Sequence, residues 1–302
     1  MHKVEKETTL FEELMQWQTS MSRTKLKQCL QHRRVLVNGR AVTQFNHPLH
    51  VGDVLAIGQS DHGRGDANSR YLKILYEDRY LVVINKNEGI LSMATSHHAF
   101  CVKRVLDGYF DRTHQKCRAH LVHRLDRDTS GLMIFAKSRD VQMRFEADWK
   151  GIVYDRRYVA VAEGVMPTDE GTVSNWLKDN KQYFTYSSPV DNGGKYAVTH
   201  YRVLERGQNN TLVELKLDTG RKNQIRVHLS DLGHPVLGDP KYGAVADIVD
   251  TPMRGNADVA PSSHPAAKRL CLHAYRLHFT HPVTGETMQF DTPVPNYFLS
   301  LL

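Results

Sequence analysis

The stretch His123-Arg124-Leu125-Asp126-Arg127-Asp128-Thr129-Ser130-Gly131-Leu132-Met133-Ile134-Phe135-Ala136-Lys137 constrains the fold more than any other in this chain. Leu132 to Ala136 is an unbroken apolar run of strand length between a glycine and a lysine, so it predicts a strand buried on both faces. The residues before it put two arginines and two carboxylates into five positions. A solvated turn tolerates such crowding, and so does a site that holds a carboxylate between guanidinium groups. Composition leaves both readings open.

The chain of 302 residues is long enough for one large domain plus a small one. Lysine and arginine outnumber aspartate and glutamate by 40 to 33, a net charge of +7, which favours a polyanionic partner. The four cysteines, Cys29, Cys101, Cys117 and Cys271, lie far apart, so no disulfide framework is expected and a reducing cytoplasm fits. Charges crowd the first seven residues and no apolar run approaches spanning length, so neither a signal peptide nor a membrane segment is expected.

Near the amino terminus, Thr9 and Glu12 form a capping-box pattern ahead of Leu10, Leu14 and Trp17 at helical spacing. A second helix, capped by Ser22, carries Arg23, Lys25 and Lys27 around Leu26, Cys29 and Leu30, and Arg33 and Arg34 follow. Val35 to Val42 then reads as a hairpin turning at Asn38-Gly39, and Val51 to Ile57 as another strand. Residues 61–70 are too polar to bury a face and read as a linker between a module at 1–60 and a larger domain at 71–302. In that domain, residues 73–86 predict two strands joined at Glu77-Asp78. Asp155 to Gly164 and Leu212 to Leu217 predict two more, and Gln224 onward predicts a short helix. Ala244 to Lys268 is polar and aperiodic, as an exposed excursion would be, and Leu270 to Phe279 resumes as a helix or strand.

His-Arg-Leu-Asp at 123–126 followed by Thr-Ser-Gly-Leu at 129–132 resembles the signature of the RluA-type pseudouridine synthases. Thr219-Gly220-Arg221, then Gln224-Ile225-Arg226-Val227-His228, and Gly233 to Gly243 extend the resemblance over most of residues 70–298. The two helices and Val-Asn-Gly hairpin before them are similar to the RNA-binding module first known from ribosomal protein S-four. The resemblance implies an α+β domain around a mostly antiparallel mixed sheet, preceded by a small α/β RNA-binding module. It implies isomerisation of uridine to pseudouridine in RNA, with ribosomal RNA of the large subunit favoured and transfer RNA as the alternative, by a cytoplasmic monomer without cofactor or metal.

On the same basis Asp126 corresponds to the catalytic aspartate, Tyr158 to the tyrosine stacked on uracil, and Arg226 to the arginine paired with that aspartate. His123, Arg124, Arg127, Arg221 and Gln224 would contact substrate, Arg124 by filling the space left by a flipped base. Arg23, Lys25, Lys27, Arg33 and Arg34 would face phosphates from the amino-terminal module. The chain departs from the family at Asn87, where proline is usual, and at Asn223, where histidine is common. The sequence leaves three competitors. One is an RNA-binding assembly factor without catalysis. Another is a hydrolase using Asp126 and Asp128 as a carboxylate pair. The last is a metal site at Cys117, His120 and His123 if a helix aligned them.

Overall fold

The computed structural model describes residues 2–18, 21–31, 35–57, 68–94, 99–243 and 269–302. The chain divides into two compact units, Met1–Arg64 and Gly65–Leu302.

In the first unit β1 (His2–Lys3) and β2 (Thr8–Thr9) precede helices α1 (Leu10–Trp17) and α2 (Arg23–Gln31). Glu12 reaches back from α1 to accept from the Thr9 hydroxyl at 2.8 Å and the Thr9 amide at 3.3 Å, the reach the capping pattern predicts. The apolar stripes of the two helices, Leu10 and Leu14 with Leu26, Cys29 and Leu30, bury one shared core with Val35 and Leu55. Strands β3 (Val35–Val37) and β4 (Arg40–Ala41) meet at Asn38 and Gly39, whose φ angles of 50° and 80° are the left-handed pair a two-residue hairpin requires. Asn38 also ties this hairpin to β6 (Val54–Ile57), accepting from the Val54 amide at 2.9 Å, while β5 (Pro48–Leu49) pairs β2. Arg23 and Lys27 are exposed on α2. The side chain of Lys25, and Arg33 and Arg34 altogether, lie outside the described residues.

The second unit is built on a twelve-stranded sheet. It opens with β7 (Asn68–Ser69), β8 (Leu72–Glu77) and β9 (Leu81–Lys86). Asn68 and Ser69 therefore belong to the sheet and not to the linker expected at 61–70. They pair antiparallel with β8, Asn68 opposite Lys73 and Ser69 opposite Leu72. Helix α3 (Val102–Arg112), the short β10 (His120–Leu121) and β11 (Ser130–Ala136) follow, then α4 (Arg139–Ala147) and α5 (Trp149–Ile152). Long strands β12 (Val153–Glu163) and β13 (Glu170–Asp179), short β14 (Thr185–Ser188), and long β15 (Lys195–Arg206) and β16 (Asn210–Leu217) lead to α6 (Gln224–Asp231). Strands β17 (Leu272–Thr280) and β18 (Thr287–Asp291) and helix α7 (Asn296–Leu299) end the chain.

The order across the sheet is β14-β13-β15-β16-β12-β17-β11-β9-β8-β7, with β10 on β11 and β18 on β17. Every pairing is antiparallel except β11 with β17, so the architecture is α+β around a mostly antiparallel mixed sheet.

Strand β11 is buried on both faces, as its apolar run predicts. Met133 and Phe135 pack with Val102, Leu106 and Phe110 of α3, whereas Leu132, Ile134 and Ala136 pack with Val141 and Phe145 of α4. Its parallel neighbour crosses at Gly131, opposite Ala274. Gly131 has φ of +119°, and any Cβ there would collide with the Ala274 backbone, so only glycine lets β11 and β17 close at this point. Of Leu270 to Phe279, left open between helix and strand by sequence, the part from Leu272 onward is strand β17, which fills the slot between β11 and β12. The segment 244–268 lies outside the described residues.

Candidate active site

Asp126 sits on the turn that feeds β11, and the backbone on either side of it is pinned. Ser92 Oγ donates to the Leu125 carbonyl at 2.7 Å and accepts from the Leu125 amide at 3.1 Å. Lys86, wholly buried, donates to the carbonyls of Arg127 (3.0 Å), Ile90 (3.0 Å) and Asn87 (2.9 Å). Burial pushes the Lys86 ammonium down to about 8, against the pull of nearby Asp128, Glu88 and Asp126. With both neighbours fixed, the Asp126 side chain has few places to point. It keeps 23% of its surface exposed and opens onto a cavity of about 840 Å³.

Arg226, from α6, faces Asp126 with Nη1 at 3.6 Å from Oδ2. Its tighter partner is Asp239, which accepts from Nε and Nη2 at 2.7 Å each in a two-pronged pair. Asp239 is fully enclosed and also accepts from the amides of Lys241 (2.8 Å) and Tyr242 (3.1 Å). Burial works against the Arg226 charge. The Asp239 bonds and the charges of Asp239 and Asp126 outweigh it, so the guanidinium is held above the usual arginine range. The expected Arg226–Asp126 pairing is thus the looser half of a relay in which Asp239 fixes the arginine and the arginine presents one edge to Asp126. No local signal in the sequence ties Asp239 to Arg226. The Gly233 to Gly243 segment brings it there by running beside β12, where the Leu237 amide donates to Val161 O at 2.8 Å.

Tyr158 and Arg156 line the cavity from β12. Tyr158 is buried, and no hydrogen-bond partner for its hydroxyl occurs among the described residues. The Arg156 guanidinium lies 5.9 Å from the Tyr158 ring and 5.5 Å from Trp149. Arg156 carries no sequence motif of its own and is legible only once Tyr158 and Trp149 are seen beside it.

Of the residues expected to contact substrate, Arg124 and Arg221 are exposed and line the cavity. Arg127 does not line it. It turns away to pair with Asp128 at 3.1 Å, while its carbonyl is the one Lys86 holds. Gln224 borders the cavity with its amide already used. Oε1 accepts from Thr219 Oγ1 (2.8 Å) and the Arg221 amide (3.0 Å), and Nε2 donates to Val198 O and Thr199 Oγ1 at 2.9 Å each, so it shapes the Thr219 to Arg221 loop. His123 is likewise an anchor. Its Nε2 accepts from the Ile134 amide at 3.0 Å, and burial, helped by Arg156, pushes the imidazole down to about 3, so it stays neutral. The helix that would have aligned Cys117, His120 and His123 is absent, since His120 lies in β10, and no group of three potential ligands is assembled among the described residues. Asp128, the second carboxylate of the hydrolytic alternative, is outside the cavity lining.

Asn223 takes the left-handed conformation (φ 53°), which asparagine tolerates better than most residues. From there it accepts from Arg226 Nη1 at 3.2 Å and donates to the Tyr242 hydroxyl at 3.0 Å, so asparagine at this position keeps the arginine oriented.

The charges of the cavity point one way. Arg124, Lys150, Arg156, Lys216, Arg221, Lys222 and Arg226 line it alongside two carboxylates, Asp126 and Asp218, and Asp218 is already paired with His200 at 2.9 Å. A basic cavity of nucleotide size, with aromatic walls and one carboxylate at its floor, suits a base and its phosphates.

Comparisons with known proteins agree. A family model described as RNA pseudouridylate synthase matches residues 80–231, the span holding Asp126, Tyr158 and Arg226. Ribosomal large subunit pseudouridine synthase D of Vibrio cholerae is 36% identical over 92% of this chain and 85% of its own length, and the protein of that name from Escherichia coli K12 is 34% identical over 93% and 85%. Among solved structures, Human RNA Pseudouridylate Synthase Domain Containing 1 aligns with a TM-score of 0.57 and 26% identity over 76% of this chain and 86% of that one. Domain Containing 4 aligns with 0.57 and 28% over 75% and 90%. By the matched span, the extent of these relatives and the shared fold, the chain belongs to the RNA pseudouridylate synthase family.

Proposed function

We propose that this enzyme isomerises uridine to pseudouridine in ribosomal RNA of the large subunit, with Asp126 as the catalytic carboxylate. The observation that carries the assignment of Asp126 is its placement: a partly exposed carboxylate on a pinned turn, at the floor of a basic cavity, facing a guanidinium that Asp239 immobilises. The choice of RNA follows relatives named for that substrate that align over most of both chains.

The reaction breaks the N1–C1′ bond, turns the uracil, and forms a C5–C1′ bond with loss of the C5 proton. Asp126 serves the first step, either by attacking C1′ or by taking a proton from the sugar. Both need an ionised carboxylate aimed at the sugar, and Arg226 favours that charge and direction. Tyr158 gives the turning base a ring to stack on, and Arg156, over the same ring, offers charge to the carbonyls of the displaced uracil. Arg124 fills the gap left in the RNA stack, while Arg221 and Lys222 take phosphates.

The amino-terminal unit serves as an RNA-binding module, with Arg23 and Lys27 contributing sequence-independent affinity. Mapping pseudouridines in the large-subunit RNA of cells with and without the protein tests the assignment. One or more sites should revert to uridine without it. An unchanged map, with a lost site in transfer RNA, would move the activity to that substrate.

A further inference from the structure

Strands β13 and β14 are joined by a turn built around Asn180. Its amide donates to Phe184 O at 2.8 Å, its carbonyl accepts from the Tyr183 amide at 3.0 Å, and its side-chain oxygen accepts from the amides of Gln182 and Phe184 at 2.9 Å each. The turn forces Tyr183 into the left-handed region at φ 60°, a place that glycine or asparagine fills with less strain. Phe184, next to it, turns inward and packs on Tyr242 with ring centres 4.9 Å apart. Tyr183 instead leaves 76% of itself in solvent. A bulky ring in a disfavoured conformation, with its surface in water, does nothing for the turn that holds it. Such strain persists where it serves a site.

The surroundings define what that site takes. Lys222 lies over the Tyr183 ring, 5.7 Å from its centre, and donates to Tyr183 O and Asp179 Oδ2 at 2.9 Å each; Lys241 reaches the same carbonyl at 3.3 Å. Lys222 and the adjoining Arg221 also line the cavity of Asp126. The exposed ring is therefore continuous, through two basic residues on one loop, with the place where the reacting nucleotide sits. A ring with one face over an ammonium and the other open to solvent matches the flat face of a base, and the lysines match the phosphates on either side of it.

We infer that Tyr183 is a stacking platform for an unpaired base of the RNA strand adjacent to the uridine in the cavity, with Lys222 and Lys241 holding that strand's phosphates. The inference rests on the proposed RNA substrate and extends it from the reacting base to a neighbour on the same strand.

Tyr183→Gly separates this role from a structural one, because glycine relieves the backbone strain while removing the ring. The probe is unmodified large-subunit ribosomal RNA transcribed in vitro, with binding measured at one fixed salt concentration and thermal unfolding measured alongside. Affinity should fall about 5- to 150-fold, the range set by one stacked base, while the melting temperature stays level or rises. Tyr183→Phe, which keeps the ring, should bind within about twofold of the unaltered protein. Unchanged affinity in Tyr183→Gly overturns the inference, as does an equal loss in Tyr183→Phe, which would assign the effect to the hydroxyl. Tritium release from C5-labelled uridine by the unaltered protein tests the proposed function separately, so a failure of one is not mistaken for a failure of the other.

Discussion

Replacing Asp239 with asparagine changes a single oxygen to an amide yet removes the countercharge that fixes Arg226. Asparagine keeps one acceptor for the amides of Lys241 and Tyr242. It loses the oxygen that takes Nε at 2.7 Å and sets an N–H against the guanidinium. Asp239 is fully enclosed and the arginine side chain is only 11% exposed, so water does little to compensate. Removing one partner of such a buried pair costs about 3–5 kcal/mol. For a unit the size of Gly65–Leu302 that corresponds to a drop of roughly 6–20 °C in melting temperature. Asp126 contacts the same arginine at a looser 3.6 Å, and its replacement by asparagine should change stability by no more than about 1 kcal/mol. Urea unfolding of the two variants, each with circular dichroism as the probe, gives the comparison directly. If Asp239→Asn unfolds within about 1 kcal/mol of the unaltered protein, Arg226 is held by something else and the relay from Asp239 to Asp126 is wrong.

Gly131→Ala would drive a methyl into the Ala274 backbone at a strained φ, costing about 2–6 kcal/mol from overpacking and strain together, readable as poor folding or a much lower denaturation midpoint. Burial pushes His228 and His273 down to about 4 in the folded chain against about 6.5 unfolded, so both are neutral when native. Their contribution is complete above pH 6.5 and is lost as the pH falls toward 4. The loss is on the order of 2 kcal/mol for each at pH 5, which calorimetry would report as proton uptake on unfolding at that pH and none near pH 8. Under the RNA-binding role proposed for the amino-terminal unit, deleting residues 1–60 should leave activity on short RNA fragments but weaken binding to long RNA and flatten its dependence on salt; an unchanged salt slope would show that the amino-terminal unit does not bind RNA.

The elements legible in the sequence are those whose signals are local. The run from Leu132 to Ala136 is apolar because both faces of β11 are covered, Asn38-Gly39 announces a hairpin through its left-handed pair, and Thr9 and Glu12 mark the start of α1. Strands β13 to β15 leave no such trace. They alternate between partly and fully exposed positions over most of their length, and backbone pairing holds them together more than apolar burial does. Helix α3 does carry Val102, Leu106 and Phe110 at helical spacing, and all three are buried. The site divides the same way. Asp126 and Arg226 stand in recognisable motifs, Tyr158 is matched through the family resemblance alone, and the fold brings all three to one cavity. Asp239, Lys86 and Ser92 are long-range partners whose roles exist only when separate strands meet. Conversely, Arg127, Gln224 and His123 sit inside motifs but make their contacts with Asp128, the Thr219 loop and the Ile134 amide.

The proposed role of the Asp126 carboxylate in the chemistry on uridine has a direct test. Asp126→Asn preserves size and hydrogen bonding but cannot act as a nucleophile or base. Asp128→Asn is the matched control, since Asp128 lies two residues away, pairs with exposed Arg127 and does not line the cavity. Tritium released from RNA carrying C5-labelled uridine reports isomerisation directly, because that proton must leave when C5 becomes the point of attachment. Release is expected from the unaltered protein and from Asp128→Asn, and none from Asp126→Asn although it still binds RNA. Release persisting in Asp126→Asn, or free uracil appearing as the product, would contradict that role.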